Sequence, residues 1–223
     1  MNIVEKIDDS VKVRHVLVSV SDKAGLEEFT DELVRIDPEI KLFSTGGTYQ
    51  RVKEALGSKA DGRLAQVSEY TGQPETQGGL VKTLDFKIYL GLLTETYNQA
   101  HQEDLKRTAA VPIDMVVVNL YPFQQTIEKH GVMVEEARAN IDIGGPCMIR
   151  AAAKNFIRVA SVVDPSDYKT VIAELQENNG HTSLSLRFSL AQKAFEHTAR
   201  YDRAIADYLS KKGIDEVRRC YRI

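Results

Sequence analysis

Short, continuous apolar runs alternate along this chain with stretches whose apolar residues recur every three or four positions. The first run, Val16 to Val20 (VLVSV), predicts a buried strand. Ser21-Asp22-Lys23 follows it, then an amphipathic helix carrying Leu26, Phe29, Leu33 and Val34. The unit repeats. Ile40 to Phe43 predicts a strand, Ser44-Thr45-Gly46-Gly47-Thr48 a turn, and the next stretch a helix with Val52 and Leu56. Leu64 to Val67 reads as a third strand, and residues 68–79 (SEYTGQPETQGG) as a loop rich in turn formers. Ile88 to Leu93 is apolar again, and residues 95–108 predict a polar surface helix. Met115 to Leu120 (MVVVNL) is the clearest strand signal in the chain. Asn140 to Pro146 is a loop leading into a small-residue helix through Ala151 to Lys154, with Pro146 suited to its first turn. Val159 to Val163 predicts a further strand. Helices are expected over 166–177 and 185–209, the second with Phe188, Ala191, Phe195, Ala199 and Ile205 along one face.

Strands alternating with helices predict an α/β fold, a mostly parallel sheet flanked by helices. The unbroken apolar character of Met115 to Leu120 implies cover on both sheet faces. A single domain over 1–223 is expected, with its core at about 13–210 and the long final helix outside the main sheet. Such sheets gather ligands at the carboxyl ends of their strands.

Composition narrows the function classes. A net charge of −3 over 223 residues offers no bulk attraction to nucleic acid, and the basic end at Arg218, Arg219 and Arg222 reads as a solvated tail. Cys147 and Cys220 are too few for a disulfide framework, and no Cys or His spacing suggests a metal site. The amino-terminal residues carry acids and no long apolar run, so neither a signal peptide nor a membrane span is expected, and the cytoplasm is the expected compartment.

Three polar clusters directly follow strands and should share one sheet edge. Ser21 and Lys23 stand in the first, and Ser44, Thr45, Gly46, Gly47 and Thr48 form the second. Hydroxyls, glycine N–H groups and a helix start make a phosphate cradle, although the same residues also serve ordinary turns and caps. Neither cluster has the spacing of an ATP or NAD loop. The third, Asn119-Leu120-Tyr121-Pro122-Phe123, sets Tyr121 at a strand end, either to relay a proton or to cap the core. Lys82 and Thr83 lie beside Gly78-Gly79, and Asp142 precedes Gly144-Gly145. Lys154 follows three alanines, which permits burial of its stem and a lowered pKa. His197 reads as a packed structural histidine and Cys147 as packing.

The stretches SVSDKAGLEEF, FSTGGT, VSEYTGQPE, GGLVKTL, IDMVVVNLYPF, NIDIGGPCMIRAAAKN and KAFEHTARYD, in this order, resemble the IMP cyclohydrolase part of the bifunctional purine-biosynthesis enzymes, which join it to AICAR transformylase. The resemblance covers roughly residues 15 to 210. It implies a methylglyoxal-synthase-like fold and dehydrating ring closure of formyl-AICAR to IMP, with no metal or organic cofactor. It further implies a homodimer. The transformylase-like region of the family does not follow in this sequence, so a separate formyltransferase is the expected upstream enzyme. On matching motifs it implies Lys82, Tyr121, Asp142 and Lys154 as the catalytic set. It implies nucleotide or phosphate contacts from Ser21, Lys23, Ser44, Thr45, Gly46, Gly47, Thr48 and Thr83. Lys154 and N–H groups near Ile143 and Gly144 are implied to stabilise an oxyanion. The chain departs from the family pattern where Leu80 replaces an Arg, Asp85-Phe86 replace His-Pro, and Tyr89 stands where a second His is usual. Lys87 or Arg51 are the cations that could make up for the missing Arg. These departures leave a second reading open, a nucleotide-binding relative without catalysis.

Overall fold

The computed structural model describes residues 3–73 and 82–222. Five parallel strands run side by side in the order β4-β3-β2-β5-β6: β2 (His15–Val20), β3 (Lys41–Ser44), β4 (Leu64–Gln66), β5 (Met115–Asn119) and β6 (Ala160–Val162). The strand order reverses at β2, because β3 and β4 build outward on one side and β5 and β6 on the other. That reversal opens a crevice at the carboxyl ends of β2 and β5, the usual ligand position in such sheets. β1 (Ser10–Lys12) pairs antiparallel with β7 (His181–Ser183) as a separate two-stranded ribbon.

Side chains alternate across each strand and so divide the core in two. Val16, Val18, Val20, Met115 and Val117 face α1 (Leu26–Ile36), α2 (Gly46–Leu56) and α9 (Tyr168–Glu177) through Phe29, Leu33, Val52, Val171 and Leu175. Leu17, Val116 and Val118 face α4 (Phe86–Leu93) and α8 (Gly144–Lys154) through Ile88, Leu92, Met148, Ile149 and the alanines 151 to 153. Both faces of β5 are buried, as its unbroken apolar run predicts.

Four local readings change. Val67–Thr71, inside the expected loop, forms the short helix α3, closed by Gly72 at φ 78. The apolar run at Ile88 becomes helix α4 because Asp85 caps it, its carboxylate accepting the Lys87 N–H at 2.7 Å. The polar helix α5 is Gln99–Thr108. The long helix α10 (Leu184–Ser210) does not lie outside the sheet. Leu186 and Leu190 enter one core and Ala191 and Ala194 the other, while Phe188 and Phe195 remain exposed. Of the apolar face expected on this helix, Ala191 is covered while Phe188 and Phe195 are not. Beyond these residues, the distal half of α10 packs on α6 (Phe123–Ile127) and α7 (Val134–Ala139) in a small separate cluster of Phe123, Ala137 and Tyr208. A last helix, α11 (Ile214–Arg218), follows.

Candidate active site

The three polar clusters do meet at one edge. Asn119, the last residue of β5, reaches across the crevice. Its Oδ1 accepts the N–H groups of Ser21 at 2.7 Å and Asp22 at 2.9 Å, and its Nδ2 donates to the Asp22 carbonyl at 2.9 Å. Sequence reasoning gave Asn119 no role. Its position immediately before a strand-end turn was the available signal. Ser19 and Thr45 touch through their hydroxyls at 3.3 Å, joining the second loop to the first. Lys23 turns back on its own loop, its Nζ 3.4 Å from the Ser21 carbonyl.

Not every hydroxyl in the cradle faces the crevice. Ser44 is fully buried and donates to the Val18 carbonyl at 2.8 Å. Thr48 both donates to the Val20 carbonyl at 3.1 Å and accepts the Val20 N–H at 3.2 Å. These two residues tie β3 and α2 to β2. The phosphate contacts implied for them are therefore not available from their side chains. What is available is the start of α2. Thr45 makes no side-chain capping bond there, the first turn holds no acid, and Gly46 adopts φ 49. Unsatisfied N–H groups at such a helix start favour an anion. Lys82 stands over this start: its Nζ lies 3.4 Å from where a Cβ on Gly46 would be.

The start of α8 forms the other side. A Cβ on Gly144 would meet Thr83 Oγ1 at 2.9 Å, and one on Gly145 would meet Asp142 Oδ2 at 2.5 Å and Leu120 Cδ2 at 2.6 Å. Only glycine permits these approaches. Asp142 Oδ1 accepts the Gly145 N–H at 3.0 Å. Burial raises the Asp142 pKa above the usual carboxylate value, opposed by the N–H groups of Gly145, Tyr121 and Gly144. The donors near Gly144 thus point at Asp142, which differs from the oxyanion role the resemblance implies for them. Tyr121 and Ile143 are 59% and 60% exposed, so neither side chain is taken up by the core.

Lys154 is not brought here. It ends α8, ten residues beyond Gly144, roughly 15 Å along the helix axis. Its neighbour Asn155 donates to the Leu92 and Thr94 carbonyls at 2.7 and 2.9 Å, at the amino edge of the sheet. Lys154 is exposed, so the expected burial of its stem fails. The two candidate replacement cations are also engaged elsewhere. Arg51 pairs with Glu27 at 2.5 Å, and Lys87 Nζ contacts the Tyr70 carbonyl at 3.3 Å. Gly78, Gly79 and Leu80 lie outside the described residues. His197 is a packed histidine, its pKa lowered first by burial.

Residues 25–147 match the family model described as MGS-like domain, and residues 152–222 match the one described as AICARFT/IMPCHase bienzyme. Among curated relatives, the chain is similar to the bifunctional purine biosynthesis protein PurH of Ruminiclostridium cellulolyticum, 47% identical over 88% of this chain and 37% of the relative. The PurH of Chlorobium phaeobacteroides is 50% identical over 89% of this chain and 36% of the relative. That of Thermoanaerobacter sp. is 50% identical over 89% and 38%. The chain thus spans little more than a third of these relatives' length. Among solved structures, the crystal structure of ForH superposes with a TM-score of 0.71 at 29% identity, covering 87% of this chain and 97% of that one.

Proposed function

The chain belongs to the family of MGS-like domains, matched over 25–147, and from that premise we propose that it is an IMP cyclohydrolase, closing formyl-AICAR to IMP with loss of water. The observation that carries this reading is one crevice with two chemically different ends. An uncapped, acid-free helix start beside Lys82 suits a phosphate, and a half-buried carboxylate at Asp142 suits a base. The names of the relatives support the same reading.

Ring closure forms a bond between the carboxamide nitrogen and the formyl carbon. That nitrogen gives up one proton, the formamide nitrogen gives up another, and the formyl oxygen leaves with both as water. An amide nitrogen is a weak nucleophile, so positioning supplies much of the acceleration, up to about 7–11 kcal/mol. Asp142 takes the carboxamide proton, and its raised pKa makes it a stronger base than an exposed carboxylate. Lys82 and Tyr121 deliver a proton to the departing oxygen. Lys154 is left out of this set on its position at the far sheet edge. Ser21, Lys23, Thr45, Gly46, Gly47 and Thr83 hold the nucleotide, the glycines through backbone N–H groups. The proposal includes a homodimer, a formyltransferase reaction as the source of substrate and a cytoplasmic site of action. No helix among the described residues is long and apolar enough to cross a membrane.

The test is to add purified protein to formyl-AICAR and follow IMP formation beside an Asp142→Asn variant. Conversion lost in the variant is the expected result. Tight IMP binding with no conversion by the unaltered protein would replace this reading with the nucleotide-binding one. Light scattering checks the dimer.

A further inference from the structure

The proposed base is supported from outside the strand-end loops. The Asp142 main-chain N–H donates to Tyr201 Oη at 2.7 Å, and the same hydroxyl lies 3.5 Å from the Asn140 carbonyl. One phenol therefore bridges main-chain atoms two residues apart, accepting from one and donating toward the other. Tyr201 comes from α10, and its ring meets Phe123 edge-on with centroids 6.2 Å apart. Phe123 is itself buried with Ala137 and Tyr208, so the phenol is anchored at its apolar end.

We infer that Tyr201 is a positioning residue for Asp142, holding its carboxylate where the carboxamide nitrogen of the substrate meets it. The inference rests on the cyclohydrolase reading. A tyrosine suits the task, because it supplies an acceptor without placing another charge beside a carboxylate already disfavoured by burial. The polar groups around this pair are Tyr121 from the end of β5, Thr83 opposite Gly144, and Asp202 next to Tyr201 on α10.

Tyr201→Phe keeps the ring and removes only the hydroxyl. With formyl-AICAR as substrate, kcat is expected to fall about tenfold, the effect of one hydrogen bond, with KM within about twofold of the original. The double variant Tyr201→Phe/Asp142→Asn is expected to be no slower than Asp142→Asn alone, because both changes remove one function. Losses that multiply in the double variant, or an unchanged kcat in Tyr201→Phe, would overturn the proposal. Amide hydrogen exchange gives a readout that needs no turnover. The Asp142 and Gly145 N–H groups are expected to exchange about tenfold faster in Tyr201→Phe, with the amides of β2 and β5 unchanged. Acceleration spread over the whole sheet, or none at Asp142, would sink it. If the unaltered protein leaves formyl-AICAR intact, the functional reading falls, and the exchange experiment still decides the role of Tyr201.

Discussion

Asp142 is held by contacts that leave no room for a larger neighbour. A methyl group at Gly145 would stand 2.5 Å from its Oδ2, so Gly145→Ala must displace the carboxylate. A shift of about 1 Å at a reacting group costs roughly 100-fold. Turnover of Gly145→Ala is expected to fall by that order while the protein stays folded, which a parallel melting curve checks. Asp142 also sets a pH dependence. Its folded-state pKa is raised, by burial first. The folded state therefore binds its proton more tightly than the unfolded chain does. The stability this contributes is present below the ordinary carboxylate value and is lost as pH rises through the raised one. Asp142→Asn is accordingly expected to melt higher than the unaltered protein near neutral pH, with the difference vanishing in acid. Equal melting temperatures at both pH values would show that burial does not penalise this charge.

At the scale of elements, the amino edge of the sheet is closed by an ion pair rather than by apolar packing. Arg158, 5% exposed, donates to Asp114 at 2.9 Å and to the carbonyls of Thr94, Gly91 and Ile113, where α4 ends and β5 begins. Asp114 in turn accepts the N–H groups of Arg14 and His15 at the start of β2. Removing one partner of a buried pair leaves the other charge unpaired, at a cost of about 3–5 kcal/mol. Arg158→Met is expected to lose at least about 3 kcal/mol in denaturant unfolding, with IMP affinity per folded molecule unchanged because the pair lies at the edge opposite the crevice. Strands such as Val16 to Val20 and Met115 to Leu120 were legible in the sequence, since an unbroken apolar run of that length has few other uses. The meeting of Ser21, Thr45 and Tyr121 at one edge followed from parallel strands alone. The fate of each hydroxyl did not: Ser44 and Thr48 look like ligands in sequence and serve as ties between strands. Lys154, joined to Asp142 by matching motifs, stands apart from it because a motif does not show the rise of the intervening helix. Tyr201 lies 59 residues from its partner, a separation that no local pattern bridges.

Over the whole molecule, the reversal of strand order at β2 places every proposed contact on loops that follow β2, β3 and β5 or begin α4 and α8. The outer strands β4 and β6 serve the core without reaching the crevice. Helix α10 connects the two. Its 27 residues span about 40 Å, and its first half belongs to both main cores, while its second half buries only Thr198 and Tyr208 of its own side chains, rests mainly on Phe123 and Ala137, and touches Asp142 through Tyr201. Few buried contacts mean a low free energy of local opening. On warming, the far end of α10 is therefore the first part to come loose, and with it the hold on the carboxylate. Inactivation by heat is expected several degrees below the calorimetric transition and to reverse on cooling. A working enzyme would in that case stop before it unfolds, its operating ceiling fixed by the weakest clamp on one side chain and not by the stability of the sheet.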